Sequence, residues 1–148
     1  MACVFCDIVA GKAPAIRIYE DDDYLAFLDI RPFSPGHTLV IPKQHFENLT
    51  DTPADVVAAL ATLGQRIGQG ARESGLHAAG NNIVINDGKA AFQSVFHIHL
   101  HVVPRQAGDK LAFAKGMLLR RDPDRETSGR LLREAVARLG DPQADLNT

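Results

Sequence analysis

Apolar positions recur every second residue in several short stretches and with helical spacing in two longer ones. After a Gly-Lys turn, Ile16, Ile18 and Tyr19 form an alternating run, and "YLAFLDIRP" from Tyr24 to Pro32 is a second strand candidate closed by Pro32, Pro35 and Gly36. "HTLVIPKQH" holds a third, Leu39 to Ile41, ended by Pro42. Thr52 or Asp51 can cap a helix whose first turn accepts Pro53. Val56, Val57, Leu60, Leu63 and Ile67 then carry that helix to about Ser74. "NNIVINDG", Asn81 to Gly88, reads as a fourth strand. A fifth, rich in histidine, stops at Pro104. A last helix spans about 125–139, with Leu131, Leu132, Val136 and Leu139 on one side and Gly140 as its stop. Strands grouped around one long helix with short turns predict an α+β fold built on an antiparallel sheet of about five strands, and parallel βαβ alternation is not supported.

The fifth strand carries the chemistry. "SVFHIHLHVVPR", Ser94 to Arg105, places three of the six histidines at every second position. In an extended strand His97, His99 and His101 line one face, each about 6.6 Å from the next, while Ile98, Leu100 and Val102 line the other. Charging all three would be self-repelling, so at least one stays neutral near pH 7, available as nucleophile, base or metal ligand. From spacing alone the row is either a site or the solvated face of an edge strand. Gln93, Ser94 and Asn86 supply neutral polar groups beside it, suited to phosphate or sugar oxygens. No Ser-His-Asp spacing and no glycine-rich phosphate loop is evident.

Composition narrows the classes. The chain has 148 residues, 45% hydrophobic and 23% charged, with a formal net charge of −2. That suits one domain with a core and argues against a nucleic-acid-coating surface, which needs clustered Lys and Arg. No secretory signal and no apolar run of the roughly 20 residues needed to cross a bilayer is present, so no membrane partner and a cytoplasmic location are expected. Cys3 and Cys6 are the two cysteines. Their C-x-x-C spacing reads as a redox pair, half a zinc site, or two small packed residues. A redox pair normally follows a strand and opens a helix, and almost no chain precedes this one.

The segments "CVFCDIVAG", "FLDIRPFSPGHTLVIPKQH" and "IVINDGKAAFQSVFHIHLH", in that order, resemble the histidine triad (HIT) family over residues 1–105. The resemblance implies a single HIT domain over 1–148, with a C-terminal extension from about 106, acting as a nucleotide hydrolase or transferase at the α-phosphate of nucleoside monophosphate derivatives. It makes His99 the nucleophile that forms a nucleotidyl-histidine intermediate. It makes His101 a donor to phosphate or leaving group, puts Ser94 near the leaving group and His37 near the α-phosphate. Gln93 and Asn86 would fix phosphate and ribose. Asp29 would accept the ribose hydroxyls and Ile30 would touch the base. Some relatives bind structural zinc through a C-x-x-C pair and two histidines, matched here by Cys3, Cys6, His45 and His97. Magnesium is not implied, since no acidic pair flanks the triad. His77 reads as a loop residue.

Hydrolysis of purine nucleoside phosphoramidates or adenylate esters is the leading expectation. Dinucleoside polyphosphate hydrolysis is an alternative, with Arg105 available for a second phosphate, and a nucleotide-binding adaptor is a third. A homodimer is implied by the family. The tail "GDPQADLNT" could reach a partner's site or be disordered. One departure stands out: many members carry glycine before the Gln-Ser pair, where this chain has Phe92.

Overall fold

Two near-continuous apolar runs, rather than clean alternation, mark the centre of the sheet. The structure, a computed structural model, describes residues 2–140; the expected role of the tail falls on residues 141–148, outside the described residues. In chain order the elements are α1 (Val4–Val9), β1 (Arg17–Glu20), β2 (Tyr24–Leu28), β3 (Thr38–Pro42), α2 (Ala54–Glu73), β4 (Gly80–Ile85), β5 (Leu100–Arg105), α3 (Lys110–Leu119) and α4 (Arg125–Arg138), with a 3₁₀ turn at Lys89–Ala91 before β5. The strands form one antiparallel sheet in the order β1-β2-β3-β5-β4. This is the α+β architecture expected.

Leu25 to Leu28 and all of β3 are buried, because both faces of the sheet centre are covered. On one face Ala26, Leu28, Val40, Ile98, Leu100 and Val102 meet Leu60, Leu63 and Ile67 of α2 and Leu132 and Val136 of α4. On the other, Leu25, Phe27, Leu39 and Ile41 meet Phe5 and Ile8 of α1. α1 covers only part of that second face, and a pocket of about 1220 Å³ opens beside it. β5 lies between β3 and β4, so the histidine segment feeds an interior strand and the edge-strand reading fails.

The helices depart from expectation at their ends. Neither Thr52 nor Asp51 caps α2: Pro53 holds that position without a side-chain cap, and the Thr52 hydroxyl instead donates to the Asn48 carbonyl at 2.7 Å. α4 is capped by Asp124, whose carboxylate accepts the Thr127 N–H, and Gly140, at φ 76°, follows its end as expected. Leu132 and Val136 are buried, whereas Leu131 and Leu139 are half-buried. α3 and α1 are missed by periodicity. α1 is a single short helix, and α3 leaves Leu111, Leu118 and Leu119 exposed, so its apolar residues mark no core-facing stripe. His77 sits in a loop at φ 49°. No helix among the described residues is long and apolar enough to cross a membrane.

α2 runs unusually close to its neighbours because glycine replaces larger residues where it touches them. A Cβ at Gly64 would lie 2.7 Å from Leu100 Cδ2, and one at Gly70 would lie 2.6 Å from Val136 Cγ2 and 3.4 Å from the Val136 backbone nitrogen. Each glycine costs about 1 kcal/mol of helix propensity, which the close approach offsets. Gly70→Ala regains that propensity but forces α4 away, an overpacking cost of about 1–3 kcal/mol. The expected net result is a loss of about 1 kcal/mol, read from the urea midpoint at unchanged m-value.

Candidate active site and metal centre

The path of residues 93–99 decides where the triad points. Gln93 is buried and its amide is fully used: Nε2 donates to the Glu47 carbonyl at 2.6 Å and the Val95 carbonyl at 3.1 Å, while Oε1 accepts the Gly88 N–H at 2.8 Å. It acts as a strut for this loop. The Ile98 N–H then donates to the Phe46 carbonyl at 2.7 Å, continuing the β5 edge beyond the end of β3 at Pro42. His97 and His99 therefore precede the strand instead of lying within it. They do not form an evenly spaced row.

His97 is turned toward the N-terminus. Its Nε2–H donates to the Pro42 carbonyl at 2.8 Å, and since a carbonyl only accepts, Nδ1 is left as a bare lone pair. That atom lies 3.5 Å from Cys3 Sγ, 3.6 Å from Cys6 Sγ and 3.2 Å from His45 Nδ1, with Cys6 Sγ 3.4 Å from His45 Nδ1. Neighbouring ligands of a tetrahedral zinc bound at about 2.0–2.3 Å are separated by about 3.3–3.8 Å. All four donor atoms lie within 4.8 Å of one another. The set fits a closed metal site, with the Pro42 carbonyl orienting one ligand from behind. Cys3 and Cys6 are unbridged, and Cys3 occupies the N-cap of α1, with Cys6 N–H 3.4 Å from its sulfur.

His99 is held by the same device with the opposite ring nitrogen. Its Nδ1–H donates to the His97 carbonyl at 2.8 Å, so Nε2 carries the lone pair. Phe5 stands edge-on to both rings, with centroids 5.9 Å from His97 and 5.2 Å from His99. His99 lines the pocket and is nearly buried. Burial holds its pKa below the usual imidazole value, against the opposing effect of its bond to the His97 carbonyl.

A second chain of fixed protons ends at His101. The Phe33 N–H donates to His37 Nδ1 at 3.0 Å, which puts the proton of a neutral His37 on Nε2. His37 Nε2 lies 2.9 Å from His101 Nδ1 and donates to it, so His101 carries its proton on Nε2. That Nε2 is buried and has no protein partner. The His99 and His101 ring centroids are 4.9 Å apart. Burial, followed by Arg120 and His99 for His37 and by His99 and His37 for His101, pushes both pKa values down to about 3. His37 is fully buried behind His101, away from the pocket wall.

Asp29 lines the pocket, its Oδ1 accepting the Arg31 N–H at 2.9 Å and its Oδ2 3.6 Å from His37 Nε2. Ile30, Asn86 and Ser94 line it too, and Ile30 is 77% exposed. Phe92 sits at its mouth at φ 68°, in the left-handed region that suits glycine. Arg105 lines the pocket with its guanidinium already engaged: it forms a two-point pair with Asp109, with Nε and a terminal nitrogen at 2.8 and 2.7 Å, and donates to Asn82 Oδ1 at 2.7 Å. Asp109 is close in sequence but was not visible as a partner without α3. Arg120, at the end of α3, reaches this site and was missed altogether.

A bare imidazole nitrogen, a neutral imidazole N–H and a carboxylate thus meet in one pocket beside a covered sheet. The HIT domain model matches residues 10–108. An uncharacterised HIT-like protein of Mycobacterium tuberculosis is 64% identical over 137 residues, covering 93% of this chain and 94% of that one. The crystal structure of a zinc-bound histidine triad family protein from Mycobacterium smegmatis superposes with a TM-score of 0.87 at 70% identity, covering 94% and 96% of the two chains. An Arabidopsis thaliana adenylylsulfatase is 42% identical over 112 residues, 74% of this chain and 55% of its own length. The chain belongs to the HIT family of nucleotide-binding hydrolases and transferases.

The two buried neutral histidines make stability depend on pH. Their folded pKa values near 3 lie below the unfolded value of about 6.5, so the unfolded chain binds protons first as pH falls. Stability is at its full value above pH 6.5 and is lost toward pH 3, by about 1.4 kcal/mol per pH unit for each histidine. Urea midpoints compared between about pH 7.5 and 5 should show this slope, and His101→Asn should lose one histidine's share of it. An unchanged slope in the variant would contradict the buried neutral pair.

Proposed function

We propose that the chain hydrolyses purine nucleoside monophosphate derivatives, phosphoramidates and adenylate esters, at the α-phosphate through a nucleotidyl-histidine intermediate. One observation carries this reading: the bare His99 Nε2 stands beside the unpartnered His101 Nε2–H. A buried donor without an acceptor costs about 1–3 kcal/mol, and a phosphate oxygen would remove that cost. The His99 Nε2 lone pair forms a bond to phosphorus as the bond to the leaving group breaks. The His101 Nε2–H hydrogen-bonds a phosphoryl oxygen, and the leaving atom takes a proton through the Ser94 hydroxyl. The substituted His99 ring is then a cation, and the His97 carbonyl accepting its Nδ1–H stabilises that charge. Water attacks phosphorus and gives a proton back to the Ser94 oxygen, the P–N bond breaks, and the lone pair returns to Nε2.

His37 acts behind His101, fixing which nitrogen carries the proton. Asp29 is suited to the ribose hydroxyls. Ile30, Phe27 and Leu39 all line the pocket, and their apolar surfaces are suited to a flat base. The adenylylsulfatase relative supports an adenylyl substrate. Arg105 lines the pocket with its guanidinium already bonded to Asp109 and Asn82, which makes it a weaker support for the dinucleoside polyphosphate alternative. A pure binding module would have no use for a nucleophile with its proton fixed on the far nitrogen. A homodimer fits β4, a sheet edge whose Ile83 and Val84 are about half exposed. Two unbridged cysteines suit a reducing, cytoplasmic compartment.

His99→Asn should lower turnover of an adenosine phosphoramidate by more than about a thousandfold while nucleotide affinity changes little. Acid quenching with substrate labelled at the α-phosphate should trap label on the parent protein and none on the variant. Turnover within about tenfold of the parent would overturn the assignment.

We also infer that Cys3, Cys6, His45 and His97 hold zinc, in a structural site with no position left for water. The zinc-bound relative and the fit of the donor set support this. Bound there, zinc would supply cross-linking rather than chemistry, tying α1 to the segment carrying His99. Protein purified without a polyhistidine tag should hold about one equivalent by elemental analysis. Cys3→Ser with Cys6→Ser should lose the metal and melt several degrees lower, with a smaller loss of turnover than His99→Asn. Less than about a tenth of an equivalent in protein never exposed to chelator would overturn the site.

A further inference from the structure

The family match ends at residue 108, yet the pocket wall does not. Arg120 follows α3 and reaches back over the site. Its Nε donates to the Arg31 carbonyl at 3.0 Å, and its guanidinium carbon lies 4.4 Å from the centre of the Phe33 ring. One terminal nitrogen lies 3.9 Å from Asp29 Oδ2. That is an ion-pair distance but too long for a hydrogen bond, so Asp29 does not satisfy the terminal N–H groups. The side chain is 30% exposed and lines the same pocket as His99.

The backbone sets this residue apart. Arg120 adopts φ 50° and ψ 57°, the left-handed conformation in which a helix end ordinarily places glycine. A long cationic side chain in a position that favours glycine is held there by what the side chain does, since the backbone alone disfavours it. Gly116 permits the approach: a Cβ there would overlap the Phe33 carbonyl oxygen, so α3 lies directly against the Phe33 loop. Phe33 in turn supplies the N–H that fixes the His37 tautomer.

A ribose hydroxyl both donates and accepts. Asp29 can take its proton, but a carboxylate offers nothing to its oxygen. The fork beside Asp29 offers what is missing. We propose that Arg120 is a second ribose-recognition residue, donating to the 2′ or 3′ hydroxyl oxygen whose proton Asp29 accepts. The C-terminal extension is thereby part of the substrate site. This rests on the nucleotide reading above. Arg120 sharpens selection of ribonucleotides over deoxyribonucleotides and does no chemistry itself; its charge also opposes protonation of His37 and His101.

The test compares Arg120→Gly with the parent on adenosine phosphoramidate and on its 2′-deoxy and 3′-deoxy counterparts, with AMP and 2′-deoxy-AMP affinities measured by calorimetry. Glycine suits the φ of 50°, so the variant should melt close to the parent. Arg120→Gln, which keeps a stem over Phe33, replaces it if the glycine variant does not fold. The ribose substrate should show KM raised by about tenfold with kcat within about threefold, and at least one deoxy substrate should change little, so that discrimination shrinks. Equal losses on ribose and both deoxy substrates would make Arg120 a structural residue and overturn the proposal. So would an unchanged ribose preference in a variant of an active, ribose-selective parent, and that result would leave the nucleotide reading standing. A parent that neither binds AMP nor turns over any of the three substrates would remove the nucleotide reading, and this proposal with it.

Discussion

The hydrogen bond from His99 Nδ1–H to the carbonyl of His97, 2.8 Å long, determines what the centre of the triad can do. A carbonyl has no proton to give, so the imidazole is confined to one tautomer and its outer nitrogen is left with a lone pair facing the pocket. The bond requires the backbone at 97 to turn its oxygen toward a side chain two residues ahead. That in turn requires residues 93–99 to leave strict strand geometry. The Gln93 strut and the Ile98 to Phe46 backbone bond hold this path, and β5 begins only at Leu100. The same logic runs through Pro42 to His97 and through Phe33 and His37 to His101. Backbone groups assign a proton in each case, and three adjacent imidazoles acquire three different roles.

Those roles explain why the histidine row could be found in the sequence but not fully read there. Period two correctly sends Ile98, Leu100 and Val102 into the core shared with α2. It also suggests one continuous face for His97, His99 and His101. Instead His97 turns to the cysteines and His99 and His101 to the pocket, with Phe5 edge-on to the first two. α1 contributes that ring, and a six-residue helix is too short to show a periodicity. The strands, α2 and α4 were legible because their apolar spacing reports burial directly. The polar bonds that consume Gln93 and Arg105 were not. They depend on Glu47, Asp109 and Asn82, which only the folded chain brings into reach.

Phe92 illustrates the limit from the other side. Its departure from the glycine common in the family was visible in the sequence, and the structure gives the reason glycine would suit: φ is 68°. The side chain is 87% exposed at the pocket mouth, so little packing offsets the backbone cost of about 1–2 kcal/mol. Nothing in the surrounding contacts explains why phenylalanine is present.

His97 joins the two halves of the site without belonging chemically to both. Its ring belongs to the cysteine cluster, while its backbone oxygen belongs to His99. Any force that fixes the ring, whether the Pro42 carbonyl on one nitrogen or a metal on the other, also fixes the peptide that carries the oxygen. The orientation of His99 is therefore set from the N-terminal side, through α1 and the C-x-x-C turn. The donor opposite it is set from the β2–β3 side, through Phe33, the loop on which α3 rests at Gly116. Two independent parts of the chain thus converge on one gap between His99 and His101. Because imidazoles kept neutral by burial add no charge of their own, that gap can receive an anion without a competing counter-ion. In the proposed reaction such neutral donors strengthen as negative charge builds on the phosphoryl oxygens, which is the condition for favouring the transition state over either ground state.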